Sequence, residues 1–310
     1  MATQEISRRI AIGASLAAAS LGGAPGDGRS QPQLLRRRYK TVANGQEREY
    51  YVYLPSGFYG EQGKKWPVLM FLHGGGERGD GLDELKYTLA HGPITEAWIQ
   101  GRDLPFVIIQ PQLQPLDPPR RPQRQRSDPP TRNLEGPPPA RSRARRSSTP
   151  MVRDEPGEGP SWDDPASGPP QGWWTIEKDL LGMVDATLEE FRGDPDRVYL
   201  TGLSYGGYGT WHMGSTYPER WAAIAPICGA GDVSKVGAIA ERKLPTWVFQ
   251  GGRDTVVKPE WVMQTVRALE EAGHPEVRIT VHEDLSHNVW TRVYEGWDLY
   301  AWFLQHRRDE

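Results

Sequence analysis

Residues 197–211 read RVYLTGLSYGGYGTW, and this stretch decides the fold. An apolar run ends at Thr201, a Gly-x-Ser-x-Gly motif surrounds Ser204, and a helical pattern begins at Gly207. A serine on a sharp turn from strand to helix needs small neighbours, because its backbone is strained. The start of the helix also directs amide groups towards a developing anion. The stretch therefore predicts a nucleophilic serine after a buried strand, and the alternative is a tight turn whose serine only caps the helix.

Short apolar runs recur on both sides of this stretch, and helical patterns separate them. Continuous apolar runs of this length indicate strands buried on both faces, as in a parallel sheet. We therefore predict an α/β fold with a mostly parallel central sheet, helices on both faces and an active site at the carboxyl ends of the strands. The predicted strands are 49–54, 67–72, 106–109, 197–201, 221–227, 246–249 and 277–281. The predicted helices are 176–191, 207–217, 261–272 and 294–306.

Two polar residues follow predicted strands in the order that a nucleophilic serine requires. A serine hydroxyl becomes a good nucleophile when a base takes its proton and a carboxylate orients that base. We predict a triad of Ser204 as nucleophile, Asp254 as acid and His287 as base. His282 is the other candidate base. Asp284 is the second choice of acid, although it lies too close to His287 in sequence to approach it from a separate loop.

A glycine run after the predicted strand 67–72 indicates one side of an oxyanion hole. Glycines allow the backbone to approach a substrate oxygen closely. One amide donor is expected from Tyr205, the residue after the nucleophile, and the other from the run that starts at His73. Gly74 and Gly75 are both candidates for this second donor, and the alternative is that the run forms a flexible turn.

Three motifs together resemble the α/β-hydrolases, and among them a group of exported esterases. The motifs are Phe71-Leu-His-Gly-Gly-Gly-Glu-Arg-Gly79, Gly202-Leu-Ser-Tyr-Gly-Gly-Tyr-Gly-Thr-Trp211 and Ser286-His-Asn-Val-Trp290. The group includes feruloyl and acetyl xylan esterases, polyhydroxybutyrate-depolymerase-like proteins and so-called predicted peptidases. The resemblance implies the α/β-hydrolase fold, and it places the nucleophile, acid and base at Ser204, Asp254 and His287.

The predicted function is a secreted serine hydrolase that cleaves carboxylic esters through an acyl-enzyme intermediate. Trp173, Trp174 and Trp290 are candidates for lining an aryl or acyl pocket, which suits esters of plant polysaccharides, and the alternative is that they pack in the core. A serine peptidase of the prolyl-oligopeptidase type is a second possible function. That type usually carries a gating domain, which we do not find in the sequence, so we favour esters. A non-catalytic binding module on a hydrolase scaffold is the third.

Composition excludes several other classes of protein. The chain has 37 basic and 40 acidic residues, and a net charge of −3 excludes a globally basic nucleic-acid-binding protein. The single cysteine, Cys228, excludes an intrachain disulfide framework and a cysteine-based zinc site. We expect no metal and no cofactor, because we find no histidine–carboxylate cluster and no dinucleotide-binding glycine motif. The expected partner is a small-molecule or polysaccharide-linked ester, and no nucleic acid.

The N-terminal segment, residues 1–30, is expected to be an export signal followed by a polar spacer. Arg8-Arg9 precedes an uncharged run rich in alanine and glycine, residues 10–23, which resembles a twin-arginine signal. This run is too short to span a bilayer comfortably. We therefore expect a periplasmic or extracellular protein without a stable membrane anchor, whose single hydrolase domain comprises residues 31–310.

Residues 112–171 are predicted to be a disordered insert in that domain. They hold 15 of the 28 prolines and 10 arginines, and they show no hydrophobic periodicity. Such a composition buries too little apolar surface to offset the entropy of ordering the chain. An arginine-rich arm that binds nucleic acid is one alternative, and an artefactual segment is another. Because the segment leaves the active-site end of the sheet, we expect it to cover part of the site.

Overall fold

The computed structural model describes residues 31–117, 126–141, 143–144, 146–151 and 171–308. The predicted export signal lies outside these residues and stays a prediction. Within the described ranges, no helix has the length and apolar character needed to cross a membrane.

A single sheet forms the centre of the described chain. Its strands are β1 (Gln33–Lys40), β2 (Glu47–Leu54), β3 (Trp66–Leu72), β4 (Val107–Gln110), β5 (Gly193–Leu203), β6 (Ala223–Ile227), β7 (Thr246–Gly251) and β8 (Val277–His282). Their order across the sheet is β1-β2-β4-β3-β5-β6-β7-β8. The β1–β2 and β2–β4 pairs are antiparallel, and the other pairs are parallel. The prediction of an α/β fold with a mostly parallel sheet is therefore confirmed.

Helices cover both faces of this sheet. The α-helices are α1 (Glu177–Glu190), α2 (Tyr205–Thr216), α3 (Gly237–Arg242), α4 (Pro259–Glu271), α5 (Trp290–Glu295) and α6 (Asp298–Phe303). Shorter helical turns lie at Gly75–Glu77, Asp83–Ala90, Thr95–Ile99, Trp173–Ile176, Pro218–Arg220 and His287–Val289. Alternate side chains of a strand point to opposite faces, so Val68 and Met70 of β3 pack with α1 and α2, whereas Leu69 and Phe71 pack with α5 and α6. This double burial explains the continuous apolar runs in the sequence.

Strand β1 and helix α3 were not predicted from the sequence. β1 pairs with β2 along its whole length, from Gln33 opposite Leu54 to Lys40 opposite Glu47. Its consecutive arginines hide the strand pattern, but at the edge of a sheet charged side chains reach solvent readily. The predicted helix 294–306 was also wrong in its continuity, because α5 ends before Gly296 and α6 begins after it.

The start of the predicted insert needs correction, because its first residues belong to the core. Gln112 and Leu113 are buried. The buried guanidinium of Arg48 donates hydrogen bonds to the Gln112 carbonyl at 3.0 Å and to the Gly79 carbonyl at 2.9 Å. A buried charge needs such acceptors, so this part of the chain is fixed to the fold.

The insert closes at its base through a pair of hydrogen bonds between Asp117 and Gln171. The Asp117 amide donates to the Gln171 side-chain oxygen at 3.0 Å, and the Gln171 side-chain amide donates to the Asp117 carbonyl at 2.6 Å. The two ends of the segment, at Asp117 and Gln171, are therefore adjacent in the fold.

Arginines in the described ranges of the insert contact the core, which differs from the expected lack of packing. Ion pairs or a ring contact join Arg126 to Glu84, Arg132 to the Trp98 ring, Arg141 to Glu96 and Arg146 to Asp284. Ion pairs near the surface each contribute about 0–1 kcal/mol and weaken with added salt. Arginines that had suggested a solvated segment thus find carboxylates and an aromatic face on the core.

We expect the core to fold without residues 118–170 when a short glycine–serine linker replaces them. The ends are already hydrogen-bonded, and each doubling of loop length changes the closure free energy by only about 0.6 kcal/mol. Thermal unfolding followed by circular dichroism should remain one cooperative transition, with a midpoint within about 4 °C of the parent. Removing 112–171 instead should lower the midpoint further, because the buried Gln112 and Leu113 are lost. A broad transition in the shorter deletion would contradict this expectation.

Candidate active site

Ser204 lies on a sharp turn between β5 and α2, as the motif predicted. Its φ of 53° and ψ of −116° are unfavourable for a residue with a Cβ atom, so the turn stores strain. The Ser204 amide donates to the Ile227 carbonyl of β6 at 2.9 Å, and this hydrogen bond holds the turn against the sheet. At Gly206 an added Cβ would stand 1.8 Å from the Leu72 carbonyl oxygen, so only glycine lets α2 begin this close to β3.

His287 and Asp254 approach Ser204 from the loops after β8 and β7. The Nε2 atom of His287 is 3.0 Å from Ser204 Oγ, and its Nδ1 atom is 2.7 Å from Asp254 Oδ2. Asp254 is buried, and its other oxygen accepts the amides of Val256 at 2.8 Å and Val257 at 3.0 Å. These bonds fix the carboxylate in the orientation that holds the imidazole. The three side chains form one hydrogen-bonded row, which is the geometry that general-base catalysis requires.

The second-choice residues Asp284 and His282 occupy other positions. Asp284 binds the guanidinium of Arg292 through both of its oxygens, each at 2.8 Å. These hydrogen bonds hold the pKa of Asp284 well below its usual range. His282 is the last residue of β8, and its Nδ1 atom lies 3.3 Å from the same guanidinium. The acid and base nearest to the serine are therefore Asp254 and His287.

The glycine run after β3 lies against the first turn of α2. Tyr205 is the first residue of α2, so its amide is among those at the N-terminus of the helix. An added Cβ on Gly75 would stand 3.1 Å from the Tyr205 ring. The two predicted sides of the oxyanion hole are therefore neighbours in the structure.

His73 orients the peptide group between Gly74 and Gly75. Its Nδ1 atom donates to the Gly74 carbonyl at 2.6 Å, and its Nε2 atom accepts the Leu113 amide at 2.9 Å. Burial lowers the pKa of His73 to about 3, so the ring is neutral, with one donor and one acceptor. In a planar trans peptide the N–H points away from the C=O, so holding the Gly74 carbonyl also fixes the direction of the Gly75 amide.

The three predicted pocket tryptophans have different environments. Trp173 is fully buried, donates to the His73 carbonyl at 3.2 Å and packs against the His73 ring, so it supports the glycine run from within the core. Trp174 packs against His212, with ring centroids 6.0 Å apart. Trp290 lies edge-on to His287 at 5.2 Å. Of the three, Trp290 is the one beside the candidate base.

Cys228 is buried, and it contacts the loop of the candidate base. Its thiol donates to the His287 carbonyl at 3.2 Å. The sulfur, the Asp254 carboxylate and the His287 ring lie within 4.8 Å of one another, and such residues are common metal ligands. Burial raises the pKa of the thiol, so the sulfur stays protonated, while the other two groups bind each other. The cysteine therefore positions the loop of the base.

Arg78, which sequence analysis did not single out, connects the serine turn to the base of the insert. Its guanidinium carbon lies 4.6 Å from the centre of the Tyr205 ring. The same group donates to the Gln114 carbonyl at 2.8 Å and to the Gln171 carbonyl at 2.7 Å. The residue after the nucleophile and both ends of the insert thus share one side chain.

Several known proteins with similar sequences or structures are esterases. Residues 175–242 match the prolyl oligopeptidase family. The chain is 29% identical over 141 residues to the iron(III) enterobactin esterase of Dickeya dadantii, covering 40% of this chain and 30% of that protein. It is 27% identical over 143 residues to a bifunctional acetylxylan esterase/xylanase of Neocallimastix patriciarum, covering 44% and 20%. The aligned regions thus span less than a third of each of these curated relatives.

A solved structure of a thermostable esterase extends the similarity to most of the chain. It matches with a TM-score of 0.61 and 27% sequence identity, covering 89% of this chain and 63% of that chain. The parallel sheet and the turn at Ser204 agree with this match. The chain therefore has the α/β-hydrolase fold, and its sequence is similar to those of esterases.

Proposed function

We propose that this protein hydrolyses carboxylic esters through an acyl-enzyme formed on Ser204. The observation that carries the proposal is the hydrogen-bonded row from Ser204 through His287 to Asp254. His287 takes the hydroxyl proton as Oγ attacks the ester carbonyl, and it then gives that proton to the departing alkoxide. Water, activated in turn by His287, cleaves the acyl-enzyme and returns the serine to its starting state. Asp254 stays ionised and stabilises the imidazolium in both steps.

In the proposed reaction, the carbonyl oxygen becomes an oxyanion between the amides of Tyr205 and Gly75. Donors that are already oriented stabilise this charge without having to reorganise during the reaction. Gly75 is preferred to Gly74 because its amide direction is fixed by His73 and because it adjoins Tyr205. Each such donor typically contributes a factor of about 10² to 10³ in kcat.

The proposed substrates are small acyl esters, of which acetyl esters of polysaccharide are our first choice. A cavity of about 50 Å³ lies beside Trp290, and Pro130, Ala140 and Arg141 of the insert form part of its wall. The similarity to a protein named as an acetylxylan esterase supports the same choice.

Peptide hydrolysis is the second candidate, because the match to the prolyl oligopeptidase family covers the serine turn. The full chain should be assayed with 4-nitrophenyl acetate, methyl ferulate and alanine 4-nitroanilide. We expect fast release from the acetate, slower hydrolysis of the ferulate and little cleavage of the anilide. Anilide cleavage at a rate comparable to that of the acetate would favour the peptidase. If no substrate is cleaved and a fluorophosphonate does not label Ser204, the scaffold is a binding module.

A further inference from the structure

A buried carboxyl group lies beside the glycine run at residues 73–76, which we call the oxyanion loop. The proposed reaction does not use this carboxyl group. Glu77 ends the short turn Gly75–Glu77 and is only 9% exposed. Its Oε2 atom is 3.3 Å from the position that a Cβ on Gly74 would take. In the part of the chain that the structure describes, this oxygen is buried and has no hydrogen-bond partner. Burying a carboxyl group in this way costs free energy, so its position beside the loop calls for an explanation.

Glu77 lies close to side chains from three parts of the chain, namely His73, His91 and Arg126. The Oε2 atom is 3.8 Å from Nδ1 of His73, and the Oε1 atom is 3.7 Å from Nε2 of His91. From the insert, the charge of Arg126 favours the ionised form of the carboxyl group, as do the nearby amides of Gly74 and Glu77 itself. Burial outweighs these effects and raises the pKa of Glu77 to about 7. Both imidazoles have lowered pKa values because of burial, so they are neutral neighbours.

One row of contacts connects this carboxyl group to the candidate base. The His91 ring lies edge-on to Trp290, with centroids 5.7 Å apart. Trp290 in turn lies edge-on to His287 at 5.2 Å. On one side, Glu77 therefore packs against the oxyanion loop. On the other side, it supports the His287 imidazole through the rings of His91 and Trp290. A shift of either part by about 1 Å can reduce the rate about 10²-fold.

We propose that Glu77 is a positioning residue for the hydrolysis. Its carboxyl group packs against the Gly74 side of the oxyanion loop and so keeps the Gly75 amide in place for the substrate oxygen. The same group supports His91, and thus Trp290 and His287. This inference rests on the proposed function, because it concerns the geometry of the same reaction.

The test compares Glu77→Ala and Glu77→Gln with the full-length wild type on 4-nitrophenyl acetate. We expect Glu77→Ala to lower kcat about 10- to 100-fold with KM within about twofold, because the loop is misplaced during the chemical step. Glu77→Gln keeps the shape and one oxygen, and it should recover most of kcat. Asp179→Ala is the matched control, since it removes a buried carboxyl group that accepts the Val42 amide at 2.7 Å. The control should unfold at a lower temperature but keep its kcat.

A second measurement covers the case in which Glu77→Ala does not fold. The pKa of Glu77 rises on folding from 4.5 to about 7, so the folded chain binds this proton more tightly than the unfolded chain. The stability of the wild type therefore declines as the pH rises through this interval. The glutamine of Glu77→Gln cannot titrate. As the pH rises from 5 to 8, the unfolding midpoint of this variant should therefore increase by at least about 3 °C relative to that of the wild type. Equal midpoint shifts in both proteins would overturn the buried position on which the inference depends.

The outcomes separate this inference from the proposed function. If the wild type hydrolyses the acetate and Glu77→Ala has the same kcat, Glu77 has no positioning role and the hydrolase proposal stands. If Glu77→Ala and Asp179→Ala lose kcat equally, the effect is general destabilisation and the inference is wrong. If the wild type hydrolyses no ester and is not labelled by a fluorophosphonate, the proposed function fails, and the positioning role fails with it.

Discussion

Replacing Ser204 by alanine is expected to lower kcat/KM for 4-nitrophenyl acetate by at least about 10³-fold. The change removes the only oxygen that lies 3.0 Å from His287 Nε2 in the hydrogen-bonded row, so no acyl-enzyme forms. The oxyanion donors remain, and they leave some catalysis above that of water. Alanine accepts the strained φ of 53° no worse than serine, so the unfolding midpoint should hardly change. Initial rates and a thermal melt of the same preparation measure both effects.

Ser215→Ala serves as the matched control for this variant. Ser215 lies on the same helix, α2, where its hydroxyl donates to the Trp211 carbonyl at 2.8 Å. It therefore tests the loss of a serine hydroxyl from α2 without touching His287. We expect the control to keep full activity. If Ser204→Ala kept a tenth or more of the wild-type rate, the acyl-enzyme mechanism would have to be abandoned.

Gly206→Ala is expected to damage both the fold and the activity. The new Cβ would meet the Leu72 carbonyl oxygen at 1.8 Å and the His73 carbonyl oxygen at 2.9 Å. Both atoms belong to backbone, which cannot rotate away as a side chain can, so α2 has to move away from β3. Overpacking of this kind usually costs about 1–3 kcal/mol, and at this position it also separates Ser204 from the oxyanion loop. We expect a midpoint lower by several degrees and a loss of at least about 10²-fold in kcat.

Gly182→Ala is the control for the same substitution in an open helical position. Gly182 lies within α1, and an added Cβ there would meet nothing within 4 Å. Alanine is the better helix former, so this variant should gain about 0.5–1 kcal/mol of stability. Thermal melts of the two variants side by side would distinguish the clash from a general effect of alanine. If Gly206→Ala behaved like Gly182→Ala, the close approach of α2 to β3 would be refuted.

The strands of the parallel sheet could be predicted because burial on both faces leaves a continuous apolar run. β3 and β7 are buried at every position, and their sequences show it directly. β1 was missed for the opposite reason, since its exposed edge allows Arg36, Arg37 and Arg38 in succession. The local hydrophobic pattern therefore predicts buried strands reliably. It fails for a strand that is stabilised only by pairing with a neighbouring strand.

The positions of Ser204, Asp254 and His287 could be predicted because each follows a strand at the same edge of the sheet. No comparable rule covers Glu77 and His91, which meet only through the packing of short helical turns. The spacing of four residues from His73 to Glu77 was the available signal, and it lay inside a motif already quoted for its glycines. The choice between pocket and core for Trp173 could not be made from the sequence, because its place in the chain does not show which way its side chain faces.

Because the two ends of the insert are hydrogen-bonded to each other, the loop can change independently of the sheet. Asp117 and Gln171 close the loop before it leaves the fold, so its length and composition can drift without disturbing the sheet. Three of its described residues, Pro130, Ala140 and Arg141, nevertheless form part of the wall of the cavity beside Trp290. This loop is thus separate in the sequence from the turns after β5, β7 and β8 that carry Ser204, Asp254 and His287. Exchange of this loop should therefore alter the wall beside Trp290 and leave the sheet in place.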